Sequence, residues 1–271
     1  MKRNAILVHA LLIIGGVVTL FPLLWMVSAS FMSNGESVTW PPHLVPHAAT
    51  LDQYRALFVR LNIGRAFFSS TVIAVVTTLF SLFFNSMAGY AFAKLRFRGR
   101  ERMFGLLLTA LIIPAQVGML PLFLMMKSMH LVNTYWGVIA PSLASVFGIF
   151  LIRQFMLSIP QELLEAARID GAGELRIYWS VVMPLARPIL ATLAIFTFMT
   201  TWNDFMWPLI VLSSDAHYTL PVAIASLSAE HAVDVELMMA GSVLTVLPVL
   251  LLFLFLQRYY IAGLMVGSVK G

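Results

Sequence analysis

Residues 66–93 read AFFSSTVIAVVTTLFSLFFNSMAGYAFA, twenty-eight positions without a charge, and Lys94-Leu95-Arg96-Phe97-Arg98-Gly99-Arg100-Glu101-Arg102 follows directly. About 20 apolar residues in a helix cross the hydrocarbon of a bilayer. This run is long enough, and it is continuous where a barrel strand would alternate. The basic cluster that closes it is costly to bury in lipid, so it fixes one end of the span in water.

Five further runs have the same character: Ala5–Val27, Met103–Met126, Gly137–Ser158, Pro188–Leu212 and Leu237–Gln257. The whole chain is 60% hydrophobic and 11% charged, where a soluble domain carries about 25% charged residues. The expected fold class is therefore an all-α integral membrane protein with six transmembrane helices. Pro22, Pro114, Pro121, Pro141, Pro208 and Pro248 lie in or near these runs, where neighbouring helices can satisfy the carbonyls that proline frees. Lys2 and Arg3 before the first run, with Ser28-Ala29-Ser30 after it, imitate a secretory leader. The run exceeds the ~7–15 residues of a leader's apolar region, so it reads as an uncleaved first helix.

With both termini in the cytoplasm, thirteen lysines and arginines lie on the inner side. Only Arg55, Arg60, Arg65 and Lys127 lie outside, of 17 in all. That asymmetry sets the direction. The formal charge of +5 is spread between apolar runs, which fits a membrane surface and excludes a nucleic-acid face. The absence of cysteine excludes disulfides, thiol catalysis and thiolate metal sites. His43 and His47 lie four apart among prolines, without further metal-ligand spacing. Outside, residues 32–65 read as a turn-rich loop with a short helix near Leu51–Phe58, and Ser213–Glu236 reads as an acidic loop.

Ser158–Arg187, between the fourth and fifth runs, is too long for a connector. Ser158 and Gln161 have capping-box spacing, and Leu163, Ala166 and Ala167 share a face. Asp170-Gly171 reads as a turn. Leu175, Tyr178, Trp179 and Val182 form a second stripe that Pro184 closes. The expectation is a helix-turn-helix with an apolar face towards the bundle. Spacing alone leaves open whether the pair lies on the inner leaflet or docks a cytoplasmic partner.

Glu165-Ala166-Ala167-Arg168-Ile169-Asp170-Gly171-Ala172, followed by Val182-Met183-Pro184-Leu185, resembles the EAA motif of binding-protein-dependent ABC importer permeases. Trp202-Asn203-Asp204-Phe205-Met206-Trp207-Pro208-Leu209 resembles the WN…PL stretch of their carbohydrate-uptake branch. Gln257-Arg258…Gly263-Leu264…Gly267-Ser268-Val269-Lys270-Gly271 resembles that branch's ending. The likeness covers essentially the whole chain and is closest to the maltose-transporter-type permease subunit, with its MetI-like fold.

The resemblance implies that the elbow is a coupling helix seated in a cleft of a cytoplasmic ABC ATPase dimer, with Glu165, Ala166, Ala167, Asp170 and Gly171 as the coupling residues. It implies a second homologous permease subunit, an extracytoplasmic solute-binding protein and surrounding membrane lipid. It also implies the cytoplasmic (inner) membrane of a bacterium or archaeon, and a sugar or related polyol as solute. Glycerol phosphate or another small solute is the alternative. A passive channel or secondary transporter is a further one, though neither needs so long an elbow. The organisation expected is a first helix and outer loop over 1–65, a transmembrane core over 66–260 containing the elbow 158–187, and a cytoplasmic tail over 261–271.

The chain has no G-x-x-x-x-G-K-[ST], no G-x-S-x-G and no H-E-x-x-H. It carries no enzyme signature, and ATP and magnesium are expected to act in the partner ATPase, with no cofactor here. Asp204 is the acid inside the fifth run, and Asn85, Gln116 and Asn203 are polar residues within spans. Each is a candidate for the solute pathway, and each can instead bond a neighbouring helix.

Overall fold

The apolar run of residues 66–93 forms the central part of a single 32-residue helix, α3 (Ile63–Lys94). Two other helices are as long and apolar: α1 (Lys2–Ala29) and α14 (Val235–Met265). A computed structural model describes residues 2–60, 62–230 and 234–265. The tail motif Gly267-Ser268-Val269-Lys270-Gly271 lies outside the described residues. Among those described there is no strand.

The other three runs are broken. Helix α4 (Arg100–Thr109) continues as a 3-10 turn to Ile112 and bends by 103° into α5 (Ala115–Ser128). Pro114 stands at that break as the cap of α5. Helix α6 (Tyr135–Ile139), extended by a 3-10 turn through Pro141, meets α7 (Val146–Leu157) at 40°. The fifth run starts at α11 (Arg187–Trp202), stops at Asn203, and resumes as α12 (Met206–Val211). Pro22, Pro121 and Pro248, in contrast, lie inside unbroken helices.

The chain packs as two compact units. The first comprises Met1–Phe67 and Leu220–Val249. Its helix α2 (Asp52–Arg60) matches the short helix expected there. The region expected as an acidic loop is largely helical instead, with α13 spanning Leu220–Glu230. Only turn-poor, apolar sequence (Leu220-Pro221-Val222-Ala223-Ile224) marked that helix. The loop after α1 is held by specific bonds. Glu236 is buried and its Oε1 accepts from Ser37 N at 2.8 Å and Ser37 Oγ at 2.6 Å. Glu36 accepts from the backbone N–H groups of Ser33 (3.0 Å) and His47 (2.7 Å), which holds its carboxyl below the usual carboxylate range. His43 and His47 approach through their Nε2 atoms at 3.2 Å.

The second unit comprises Phe68–Thr219 and Leu250–Gly271. Its core joins α3, α7 and α11 through Tyr90, Ala93, Ile152, Met156, Ile189 and Leu193. The charge inside the fourth run is accommodated here. Arg153 pairs with Glu101 at 3.1 Å, and its guanidinium lies 4.0 Å from the centre of the Phe104 ring. The basic segment 96–102 caps this end of the unit, with Arg100 also paired to Glu101 at 2.9 Å.

Candidate functional site

The elbow begins where α7 ends. Ser158 is the C-cap of α7, its Oγ donating to Phe155 O, so it does not cap the following helix as its spacing suggested. Pro160 takes the N-cap position of α8 (Gln161–Ile169). The helix is anchored by Leu164, which is fully buried, while Leu163 is exposed. The buried face is thus one residue out of register with the Leu163 stripe.

Helix α8 ends in a Schellman motif. Ala172 N donates to Ala167 O (2.9 Å) and Gly171 N to Arg168 O (3.0 Å), with Gly171 at φ +82°. Only a residue at ease in the left-handed region satisfies both carbonyls this way. A Cβ on Gly171 would meet nothing within 4 Å. Its dihedral favours glycine, while the space around its Cβ position is open. Glu165, Ala166, Asp170 and Gly171 are exposed and Ala167 is half-buried. Ile169 (86%) and Leu175 (68%) flank the turn with large exposed apolar side chains.

The return strand of the elbow is not one regular helix. A short α9 (Glu174–Ile177) runs into a π turn over Tyr178–Val182 and then α10 (Met183–Leu185). Pro184 sits within α10, and the break falls at Ala186, where the chain bends by 79° into α11. Ile177, Tyr178 and Val182 are buried, whereas Leu175 and Trp179 are exposed. The π turn shifts the helical phase from Tyr178 on, which takes Trp179 off the buried face, while Leu175 precedes it at the exposed start of α9.

Three polar ties join the elbow to the end of α3. Tyr90 Oη donates to Glu174 Oε2 and Arg168 Nε to Glu174 Oε1, both at 2.8 Å. The Ser86 and Tyr178 hydroxyls bond at 2.7 Å. Lys94 donates to Ile159 O. A cleft of about 510 Å³ lies between these elements, with Lys94, Arg96, Glu165 and Arg168 among its walls.

A second feature lies in the same unit. A cavity of about 350 Å³ is lined by Ser81 of α3, Ser142 and Ser145 at the α6–α7 break, and Thr197, Thr200, Thr201 and Asp204 at the end of α11. Asp204 falls in the break between α11 and α12, with Oδ1 3.5 Å from Trp207 N. Asn85 does not line the cavity but builds it. Its Oδ1 accepts from Ser145 N at 2.9 Å and its Nδ2 donates to Ser81 Oγ at 2.6 Å. Asn203 is exposed and donates to Met199 O, and Gln116 is exposed in the first turn of α5. Sequence reading missed the hydroxyl residues, because serines and threonines are scattered along these runs and only their folded positions bring them together.

Residues 85–265 match the family described as "Binding-protein-dependent transport system inner membrane component". The chain belongs to this family. The match begins at Asn85 and therefore contains the elbow and, but for Ser81, the polar lining of the cavity. Curated relatives are similar over nearly the whole length. The arabinooligosaccharides transport system permease protein of Halalkalibacterium halodurans is 41% identical over 94% of this chain and 92% of that one. The lactose transport system permease protein of Rhizobium radiobacter is 34% identical over 97% and 95%. Among solved structures, a chain of a bacterial ABC transporter involved in import of the acidic polysaccharide alginate superposes with a TM-score of 0.86. It is 26% identical, covering 96% of this chain and 97% of that one. Its three long apolar helices fit an inner-membrane component of such a system.

Proposed function

We propose that this chain is the permease subunit of an ATP-driven carbohydrate importer, forming half of the pathway and coupling it to a separate ATPase. The observation that carries this is the elbow. An exposed Schellman turn, with Asp170 and Gly171 at its tip, Ile169 beside it and exposed Glu165 farther back on α8, is rooted in the bundle through buried Leu164, Ile177 and Tyr178. Such a projection can transmit a partner's rigid-body movement to α3, α7 and α11. Exposed Glu165 and Asp170 suit basic groups on the partner, and Ile169 suits an apolar cleft.

In this reading α4 with α5, α6 with α7, and α11 with α12 are one span each, giving six spans with α1, α3 and α14 and both termini cytoplasmic. The organisation is a first helix and loop over 1–65, a core over 66–260 with the coupling loop 158–187, and a tail over 261–271. The coupling residues are Glu165, Ala166, Ala167, Asp170 and Gly171. ATP and magnesium are used by an ATPase dimer. A second permease completes the pathway, and an extracytoplasmic binding protein delivers the solute. The names of the relatives support a sugar, and of the four polar span residues Asp204 is the one on the cavity, with Asn85 as its support. Asn203 and Gln116 remain candidates for other stretches of the pathway.

The test is co-purification. The tagged chain is expected to bring down an ABC ATPase and a second permease, and the complex to import sugar only with ATP and binding protein. Sugar import by the chain alone, without ATP, would overturn the reading.

A further inference from the structure

We infer that the cavity between α3, the α6–α7 break and the end of α11 is a sugar subsite of this subunit itself, taking one uncharged, hydroxyl-rich unit at a time. The inference rests on the importer reading and deepens it. Six hydroxyls and one carboxylate converge there from three parts of the fold. Polar groups in spans are costly, and their ordinary use is to bond a neighbouring helix. The hydroxyls whose bonds are defined are not used up in that way. Thr200 donates within its own helix, to Phe196 O (2.8 Å) and Thr197 O (3.0 Å), and keeps lone pairs to accept. Ser145 Oγ accepts from Gly148 N at 3.0 Å and keeps its proton to donate. Ser81 Oγ accepts from Asn85 Nδ2 and likewise keeps its proton.

The wall thus offers donors at Ser81 and Ser145 and acceptors at Thr200 and Asp204. A sugar hydroxyl is both donor and acceptor, so it can meet both kinds at once. Val138 and Pro141 add an apolar surface for the C–H face of a ring. A volume near 350 Å³ is at the small end of the ~300–1,000 Å³ seen for ligand pockets, which suits one sugar unit of a chain and not the whole. The single charge is negative. When ionised, half-buried Asp204 repels uronates and phosphorylated solutes, which favours neutral glycans over glycerol phosphate.

The test uses the complete complex in proteoliposomes with saturating binding protein, and radiolabelled lactose and arabino-oligosaccharide as probes. Thr200→Val and Thr201→Val are expected to lower the sugar moved per ATP about fivefold each, the value of one hydrogen bond. Thr200→Ser and Thr201→Ser are expected to stay near the unaltered protein. Asp204→Asn is expected to change the ratio of the two uptake rates, which a purely structural role would leave alone. If the valine variants move as much sugar per ATP as the unaltered chain, there is no subsite. If they no longer assemble with the second permease, the cavity is a subunit interface and the inference falls. Absence of ATP-driven uptake of both probes by the unaltered complex would overturn the importer reading and the subsite together.

Discussion

Tyr90 of α3 and Glu174 of the elbow share a hydrogen bond of 2.8 Å, and the second oxygen of Glu174 holds Arg168 at 2.8 Å. One carboxylate therefore joins the strands before and after the Gly171 turn to the helix that carries Asn85 and Ser81. A movement of the elbow has a direct polar path into α3, besides the buried contacts of Leu164 and Tyr178.

Glu174→Ala and Tyr90→Phe are expected to weaken coupling more than stability. The Arg168–Glu174 pair is a third to a half exposed, so its loss costs less than about 1 kcal/mol, and the part-buried Tyr90 bond to the carboxylate contributes about 1.5 kcal/mol. Assembly with the ATPase should persist while uptake per ATP falls several-fold. Uptake per ATP equal to that of the unaltered complex would show that the elbow acts through packing alone.

The elbow's turn was legible because Gly171 after Glu-Ala-Ala is a local signal, and Gly171 does take φ +82°. Its buried face was not. Leu163 and Leu164 are equally apolar neighbours, and what turns Leu164 inward is non-local, the cluster with Ile152, Met156 and Ile177. The second stripe failed at Trp179 because a π turn at Tyr178–Val182 changes the period there, and at Leu175 because the first turn of α9 is exposed beside the Gly171 turn. The runs themselves were readable from hydropathy, but a 103° bend at Pro114 was not, since Pro121 lies in the same run without breaking its helix.

Gly148→Ala tests the scaffold of the cavity. A Cβ there would lie 2.6 Å from Asn85 Nδ2 and 2.7 Å from Ser145 Oγ. Asn85 is fully buried and cannot move away without leaving Ser145 N unbonded. The cost should be about 1–3 kcal/mol, seen as a lower melting temperature of the detergent-solubilised protein. Gly105→Ala, where a Cβ meets nothing within 4 Å, is the neutral comparison.

The loop after α1 should depend on Glu236 and on pH. Glu236→Ala leaves Ser37 N and Oγ unpaired beside a buried site, at a cost of about 1.5–3 kcal/mol, and should speed hydrogen exchange across residues 33–47. Glu236→Gln keeps an acceptor and should exchange more slowly than the alanine variant. Glu36 adds a pH term of defined sign. Its pKa is lowered in the folded chain by the His47 amide and then the Ser33 amide, so its contribution is complete above the ordinary carboxylate value. It is lost as pH falls through the lowered value. Protection of those two amides that stays constant on acidification would contradict this.

The six-span reading can be checked by single cysteines, because the chain has none of its own. Asn34→Cys should react with an impermeant maleimide on intact cells. Ser268→Cys should react only after permeabilisation. Labelling of Ser268→Cys from outside would reverse the orientation or change the number of spans.

Gly171 separates strain from docking. Its positive φ disfavours a side chain, and a left-handed residue other than glycine costs about 1–2 kcal/mol. Asparagine adopts that conformation more readily than valine. The space at the Cβ position is open, with nothing within 4 Å of it. If strain alone matters, Gly171→Val should lower the melting temperature of the isolated chain and Gly171→Asn should do so little, with uptake following stability. If the turn seats in an ATPase cleft, both side chains meet the partner. Gly171→Asn should then keep near-normal stability yet lose at least about tenfold in uptake, because a contact that differs between two states by ~1.4 kcal/mol shifts their equilibrium tenfold. The measurements are a melting curve of the purified permease, recovery of the ATPase in a pull-down, and uptake by the reconstituted complex. Full uptake by Gly171→Asn would remove the turn from the coupling surface and leave Glu165 and Ile169 to carry it.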